Sequence, residues 1–263
     1  MSYWENKRIL VTGASSGIGE AFAKQLAASG ANLILSSRQA DKLETLRKSL
    51  PNAENHQVLV LDVSNPTQIK SVIDSNAELF ENIDVLINNA GISQRSLTWE
   101  ASHESERQIM ETNFFGPVVL TKAVLPGMMK RNAGQIINMS SPAGKFGFPL
   151  RSSYSASKHA IHGYFDTLRA ELHGKNIKVL LACPGRVDTN MSINAVTSDG
   201  SKNGRKETRL AGGLSADDAA KIILKAARKG KAELYIGKEQ ILIYLNRYLP
   251  SAFRAVVSKF NPK

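Results

Sequence analysis

Tyr154 and Lys158 stand four residues apart, thirteen residues downstream of Ser141, and each can handle a proton or a developing charge. In a helix, positions i and i+4 share a face, so the phenol and the amine would enter one cleft together. An ammonium beside a phenol favours the phenolate and lowers its pKa from about 10. Such a phenol can give a proton to a carbonyl oxygen or take one from an alcohol. Tyr-x-x-x-Lys alone is a weak signal, and the chain repeats it at Tyr3 and Lys7. That first copy precedes every strand and has no serine loop ahead of it, as a solvated helix surface would. The second copy follows an apolar run over residues 135–139, then Ser140 and Ser141, then a Gly/Pro-rich loop.

These side chains need a scaffold, and the amino-terminal half supplies one. Arg8–Thr12 is a short apolar run of the kind that forms a buried parallel strand. Gly13-Ala14-Ser15-Ser16-Gly17-Ile18-Gly19 follows at once, and residues 20–28 have helical periodicity. Strand, glycine turn and helix aim backbone N–H groups and a helix N-terminus at a phosphate. The same letters satisfy G-x-S-x-G, the nucleophile elbow of serine hydrolases, with Ser15 as nucleophile. An elbow comes after several strands and an oxyanion loop, whereas only twelve residues precede this turn.

Asn32–Ser37 reads as the second strand, and its end meets the ribose in a dinucleotide site. An acid there would repel a 2′-phosphate. This chain has Ser36, Ser37 and Arg38, with no acid until Asp41, which predicts NADP(H) over NAD(H). Residues 57–61 are the third strand, closing in Asp62 and Val63, where Asp62 is a ligand or a capping residue. Asn65 and Pro66 suit the N-cap and first position of a helix. Residues 83–87 are the fourth strand, ending in Asn88-Asn89-Ala90-Gly91. The rhythm predicts an α/β fold: a doubly wound, Rossmann-like, mostly parallel seven-stranded sheet with helices on both faces, in one domain.

Further along, a helical stretch from about 103 to 129 contains Asn113, an unfavourable residue inside a helix. Either its side chain bonds a bent backbone or a water, or it is simply exposed. After Lys158 come a strand over 177–183 and Pro184-Gly185-Arg186-Val187-Asp188-Thr189 at the ligand-binding edge. Residues 190–213 are polar and glycine-rich, and read as a lid or as a surface loop. Ser215 caps a helix to about Arg228, and Glu233–Ile236 is the last strand, so the catalytic domain spans about 1–237. Residues 238–263 are basic and amphipathic. Such a segment lies on an anionic membrane, or packs against the body or another subunit.

Composition narrows the class. The chain has 263 residues, 42% hydrophobic and 22% charged, as one soluble α/β domain would. Its one cysteine, Cys183, sits in an apolar run and reads as buried, in keeping with a reducing compartment. With no signal peptide and no apolar run of transmembrane length, a cytoplasmic location is expected, with membrane association only at the C-terminus. A net charge of +11 suits nucleic acid, anionic lipid, or an anionic cofactor and substrate. No helix-turn-helix, zinc-ligand or RNA-binding signature accompanies it, which argues against nucleic acid and offers no metal set.

In this order and spacing, the glycine turn, Asp62-Val63, Asn88-Asn89-Ala90-Gly91, Asn113, Ser141, Tyr154-x-x-x-Lys158 and Pro184-Gly-x-Val-x-Thr189 resemble the short-chain dehydrogenase/reductase family. The resemblance runs to about Ile236. It implies that Tyr154 is the general acid in reduction and the base in oxidation. Lys158 would bond the nicotinamide ribose and lower the Tyr154 pKa; Ser141 would hold the substrate oxygen; Asn113 would anchor a water that relays protons through Lys158. Gly13, Ser15, Ser16, Gly17, Ile18, Gly19, Arg38, Asp62, Val63, Asn89, Ala90, Gly91, Pro184, Gly185, Val187 and Thr189 would line the cofactor site with Tyr154 and Lys158. Some NADP-preferring members carry a basic residue where Ser16 stands, so Arg38 alone carries that expectation. The family implies a homodimer or homotetramer, although residues 238–263 depart from its commonest ending.

An NADPH-dependent carbonyl reductase, reversible as an alcohol dehydrogenase, is the leading reading. A non-catalytic NADP-binding sensor or scaffold of the same fold is the alternative, but such proteins usually lack the tyrosine or the lysine. The substrate walls would come from residues 93–98, 142–153 and 186–213. There Phe146, Phe148, Leu150 and Met191 stand beside Arg95, Lys145 and Arg151, suggesting an apolar carbonyl with an acidic end.

Overall fold

The computed structural model describes residues 2–205 and 212–259. Seven strands form one sheet: β1 (Arg8–Thr12), β2 (Asn32–Ser37), β3 (Gln57–Val60), β4 (Val85–Asn88), β5 (Gly134–Met139), β6 (Ile177–Pro184) and β7 (Glu233–Ile236). Their order is β3-β2-β1-β4-β5-β6-β7, and every neighbouring pair is parallel. Side chains alternate across each strand. Ile9, Val11, Leu33, Leu35 and Ile87 face α1 (Gly17–Ala27), α2 (Ala40–Ser49) and α8 (Ala216–Arg228). Leu10, Ile34, Leu86 and Ile136 face α3 (Pro66–Ser75), α4 (Ala77–Glu81), α6 (Gly116–Arg131) and α7 (Ser152–Glu171). With both faces covered, the strands read as continuous apolar runs. Phe22 and Phe165 are fully buried on opposite faces, each contributing roughly 1.5–3 kcal/mol of transfer free energy.

The chain order reverses between β1 and β4, so a crevice opens beyond their carboxyl ends. Caps fix the helices that flank it. Asn65 accepts the Gln68 N–H at 3.0 Å, with Pro66 at the first position of α3. Ser215 accepts the Asp218 N–H at 3.0 Å at the start of α8. Each such cap contributes about 1 kcal/mol.

The expected single helix over 103–129 is divided. It consists of α5 (His103–Met110), a π-helical turn (Glu111–Phe115) and α6. The wider turn inserts a residue and releases the local ladder. Asn113 lies inside this turn.

Residues 190–205 are neither free nor detached. Arg95 N–H donates to the Val196 carbonyl at 2.7 Å, Val196 N–H to Ser93 at 2.8 Å, and Ser102 N–H to Ser198 at 2.8 Å. Ala195 and Val196 are buried. The remainder of the expected lid, 206–211, lies outside the described residues. Beyond β7, α9 (Gln240–Tyr248) and α10 (Pro250–Val257) form a hairpin that packs Ile243 and Phe253 on Phe146. Among the described residues no helix is long and apolar enough to cross a membrane.

Candidate active site

The loop after β5 and the first turns of α7 meet at the carboxyl edge of the sheet. The Ser141 hydroxyl accepts the Ala143 N–H at 3.2 Å and lies close enough to the Tyr154 phenol to act on its pKa. Lys158 is buried, donates to the Met139 carbonyl at 2.8 Å, and places its Nζ 5.7 Å from the centre of the Tyr154 ring. Ser141, Tyr154 and Lys158 are thus together. The expected lowering of the Tyr154 pKa is not the net effect of these protein groups. Burial raises it, against smaller opposing contributions from the Ser141 hydroxyl and the Arg151 charge. Burial also brings the Lys158 pKa down to about 8. The desolvation of a buried phenol outweighs an ammonium that is directed at a carbonyl. The other Tyr-x-x-x-Lys copy is structural. Lys7 Nζ stacks 3.6 Å from the Tyr3 ring, and the Tyr3 hydroxyl donates to Gln135 at 3.2 Å, at the amino end of β5.

Asn113 resolves the alternatives left by the sequence. Its Oδ1 accepts the Ile92 N–H at 2.9 Å, and its Nδ2 donates to the Ile92 carbonyl at 2.9 Å and to Ser157 Oγ at 3.1 Å. It therefore bonds backbone from inside a bent helix. A Cβ placed on Gly91 would come 3.1 Å from Asn113 Oδ1 and 3.7 Å from Lys158 Nζ. Gly91 is the point where β4, the π turn and α7 converge.

The glycine turn fits a dinucleotide phosphate. Gly13 and Gly17 have φ of 66° and 57°, a region that favours glycine. Ser16 starts α1 with no side-chain cap, so the first N–H groups of that helix keep no side-chain partner. Thr189 faces the turn, its Cγ2 3.2 Å from where a Gly17 Cβ would be, and Ile18 packs on the core beneath. Thr12 Oγ1 accepts the Asn89 and Ala90 N–H groups, both at 3.0 Å, and Asn89 Nδ2 donates to the Thr12 carbonyl at 2.8 Å. Asn88 likewise ties β4 to β5 through Asn138 at 2.8 Å. Arg38 and Asp62 sit at the ends of β2 and β3, with 3.6 Å between Nη1 and Oδ2. Asp62 Oδ1 accepts from the Ser64 N–H and hydroxyl, a local turn, while the helix cap belongs to Asn65. Val63 is buried, with its carbonyl against Gly116. Val187 pairs with Leu214 after Pro184 closes β6. At Gly185 the space of the missing side chain is held by the Glu239 carboxylate.

Some of the expected substrate walls face elsewhere. Phe146 and Phe148 turn toward the α9–α10 hairpin, and Lys145 pairs with Glu233 at 2.8 Å. Leu150 and Arg151 stay beside the site: Leu150 accepts the Ser96 N–H, and Arg151 lies 6.0 Å from the Tyr154 ring centre.

Sequence reasoning missed Gln94. Arg151 gives no side-chain cap to α7; instead Gln94 Oε1 accepts the N–H groups of Ser153 at 2.8 Å and Tyr154 at 3.2 Å. A cap supplied from sixty residues away leaves no local spacing to find. Gln94→Leu strands two buried donors, each costing roughly 1–3 kcal/mol. It is expected to lower stability by about 2 kcal/mol or more and to reduce kcat with Tyr154 intact, as read by denaturant unfolding and steady-state kinetics. Full retention of both would remove Gln94 from the site.

A buried group behind Ser141 was also invisible to spacing. Ser140 Oγ lies 3.0 Å from His162 Nε2, and Glu233 Oε1 lies 3.3 Å from His162 Nδ1. Together with Lys145–Glu233 this holds both ends of the loop that carries Ser141. The order Ser–His–Glu is that of a hydrolase triad. Ser140 is buried, however, and Gly144 packs tightly against the pair: a Cβ there would come 2.8 Å from both Ser140 Oγ and His162 Cδ2. Cys183 joins at 3.5 Å from Nε2, with its thiol pushed up to about 12 by burial.

Burial lowers the His162 pKa to about 4; Lys145 and His159 add to this, while Glu233 and Asp166 oppose it. The unfolded imidazole titrates near 6.5, so this stability is present above about pH 6.5 and is lost as pH falls through about 4, roughly 3 kcal/mol in all. His162→Gln is expected to flatten that acid limb in unfolding measured across pH. An unchanged limb would assign it to other groups.

A glycine turn at the head of a parallel sheet, with a phenol, an amine and a hydroxyl converging at the same edge, defines an oxidoreductase of the dinucleotide-binding kind. The sequence matches the short chain dehydrogenase family model over residues 7–199, and the chain belongs to the short-chain dehydrogenase/reductase family, whose members are NAD(P)-dependent. It is 40% identical over 264 residues to dehydrogenase/reductase SDR family member 7B of Mus musculus, covering 98% of this chain and 82% of that one. It is 37% identical to the SDR family protein 7-like of Drosophila melanogaster, over 96% and 80% of the two chains. Among solved structures, a short-chain dehydrogenase from Streptomyces avermitilis superposes with a TM-score of 0.80 at 30% identity, over 97% of each chain. One from Burkholderia cenocepacia, in complex with NADP, gives 0.79 at 27% identity over 98% and 99%. One from Burkholderia phymatum, in complex with NAD, gives 0.80 at 25% identity over 100% and 98%.

Proposed function

We propose that this protein is an NADP(H)-dependent reductase of ketones or aldehydes, reversible as a secondary-alcohol dehydrogenase. The observation that carries it is the buried Tyr154 phenol with Ser141 beside it and the Lys158 Nζ 5.7 Å from its ring centre, at the edge where the glycine turn opens. The glycine turn, Asn89–Gly91, Val187 and Thr189 would hold the cofactor, and Arg38 would meet the 2′-phosphate. When bound, the nicotinamide supplies or accepts the hydride. Tyr154 gives its proton to the carbonyl oxygen during reduction and takes it back during oxidation. Ser141 donates to the same oxygen as charge develops there. Lys158, with a pKa of about 8, remains cationic at neutral pH and stabilises the phenolate left behind. Asn113 fixes the Gly91–Ile92 backbone beside Lys158 and keeps an Oδ1 lone pair for a relay water.

Leu150 and Arg151 stand beside the site, one apolar and one basic, which favours an apolar carbonyl carrying an acidic group. A panel of ketones and aldehydes with NADPH and NADH, followed by the absorbance of the reduced nicotinamide, tests the reading. Turnover with NADPH supports it; cofactor binding with no turnover on any carbonyl would favour the sensor instead.

A further inference from the structure

We propose that the outward face of the α9–α10 hairpin docks this protein onto an anionic lipid surface, a property that goes beyond the catalytic reading and does not depend on it. The hairpin buries Ile243 and Phe253 on one side. The same hairpin exposes Ile241, Tyr244, Tyr248, Leu249 and Val256. Five of the eleven large hydrophobic side chains exposed among the described residues therefore fall within residues 241–256. Ile241, Tyr244 and Tyr248 follow at i, i+3 and i+7, forming one stripe along α9.

Charge decides what covers that stripe. Lys238, Arg247, Arg254 and Lys259 are exposed around it. The only acid within 238–259 is Glu239, which is paired with Arg186 at 2.9 Å. A second copy of the chain meeting this face about a two-fold axis would bring the same cations against themselves. An anionic bilayer offers the opposite charge together with an apolar interior. Tyrosine suits the headgroup level, and arginine stems can lie along apolar surface with their heads in water. Helices of nine and eight residues are too short to cross, so they lie in the plane of the interface. The hairpin is also joined to the loop after Ser141. Asn246 donates to the Lys145 carbonyl at 3.0 Å, and Phe253 meets the Phe146 ring edge to face at 5.0 Å.

Co-sedimentation of the full chain with phosphatidylcholine vesicles, with and without phosphatidylserine, tests the proposal. Binding is expected only with phosphatidylserine, weakening as salt is added. Arg247→Glu with Arg254→Glu, and separately Tyr248→Glu with Leu249→Glu, should each reduce partitioning by roughly tenfold or more. All four side chains are exposed, and a thermal melt verifies that both variants fold. Their turnover of a water-soluble carbonyl should match the parent, so loss of catalysis and loss of docking read out separately. No binding to phosphatidylserine vesicles, or undiminished binding by both variants, overturns the proposal. So does a vesicle-inert protein whose sedimenting mass falls in the variants, which would make the face a subunit interface.

Discussion

Tyr154→Phe is expected to reduce kcat for carbonyl reduction by roughly a thousandfold, within the range of a positioned general acid, and to leave cofactor affinity within about twofold. The substitution removes one oxygen and keeps the ring. The ring is buried between Arg151 and Lys158, so packing survives and the loss falls on chemistry. Ser141 keeps the Ala143 N–H. Steady-state turnover at saturating cofactor measures the first quantity, and quenching of protein fluorescence by titrated NADPH the second. A kcat within threefold or so of the parent would show that the proton comes from elsewhere. Equal losses in kcat and cofactor affinity would mean that the ring, and not its hydroxyl, was the important part.

Arg38→Ala is expected to raise KM for NADPH by roughly ten- to a hundredfold, the value of one or two hydrogen bonds to a charged phosphate, and to leave KM for NADH within about threefold. The guanidinium is mostly exposed and stands 3.6 Å from the Asp62 carboxylate. A surface pair of that length adds little to stability, so the melting temperature should hold. The effect is thus separable from folding. Asp62 remains held by Ser64 in the variant, so the end of β3 has no reason to move. A similar rise for both cofactors would mean that Arg38 contacts something they share, and the preference for NADP(H) would fall with it.

Much of this molecule was legible before its coordinates. The central strands β1, β2, β4, β5 and β6 are runs of buried apolar residues, and a doubly covered parallel strand announces itself that way. The glycine turn, Asn65-Pro66 and Ser215 act within a few residues of themselves, where sequence spacing is geometry. What escaped was long-range. Gln94 reaches Tyr154 from sixty positions away, and Glu233 reaches Lys145 across β6 and β7. No local pattern encodes such meetings. The π turn at Asn113 escaped for another reason. Its residues keep helical periodicity on both sides, and only the awkward placement of an asparagine hinted at the defect. The Tyr154 pKa was misjudged because spacing reports neighbours but not the loss of water, and in a buried phenol that loss prevails. Phe146 and Phe148 were set on the substrate side since nothing in the sequence showed that a terminal hairpin would cover them.

The placement of Glu233 on β7 has a consequence for how the protein comes off the ribosome. The chain is one domain and folds as a unit, and even α1 completes its packing only against α8. The loop bearing Ser141 must wait, because the carboxylate that pins Lys145 and faces His162 is translated more than ninety residues later. A prematurely ended polypeptide would thus lack a fixed Ser141 loop. Competence arrives near the end of synthesis, when the seventh strand docks.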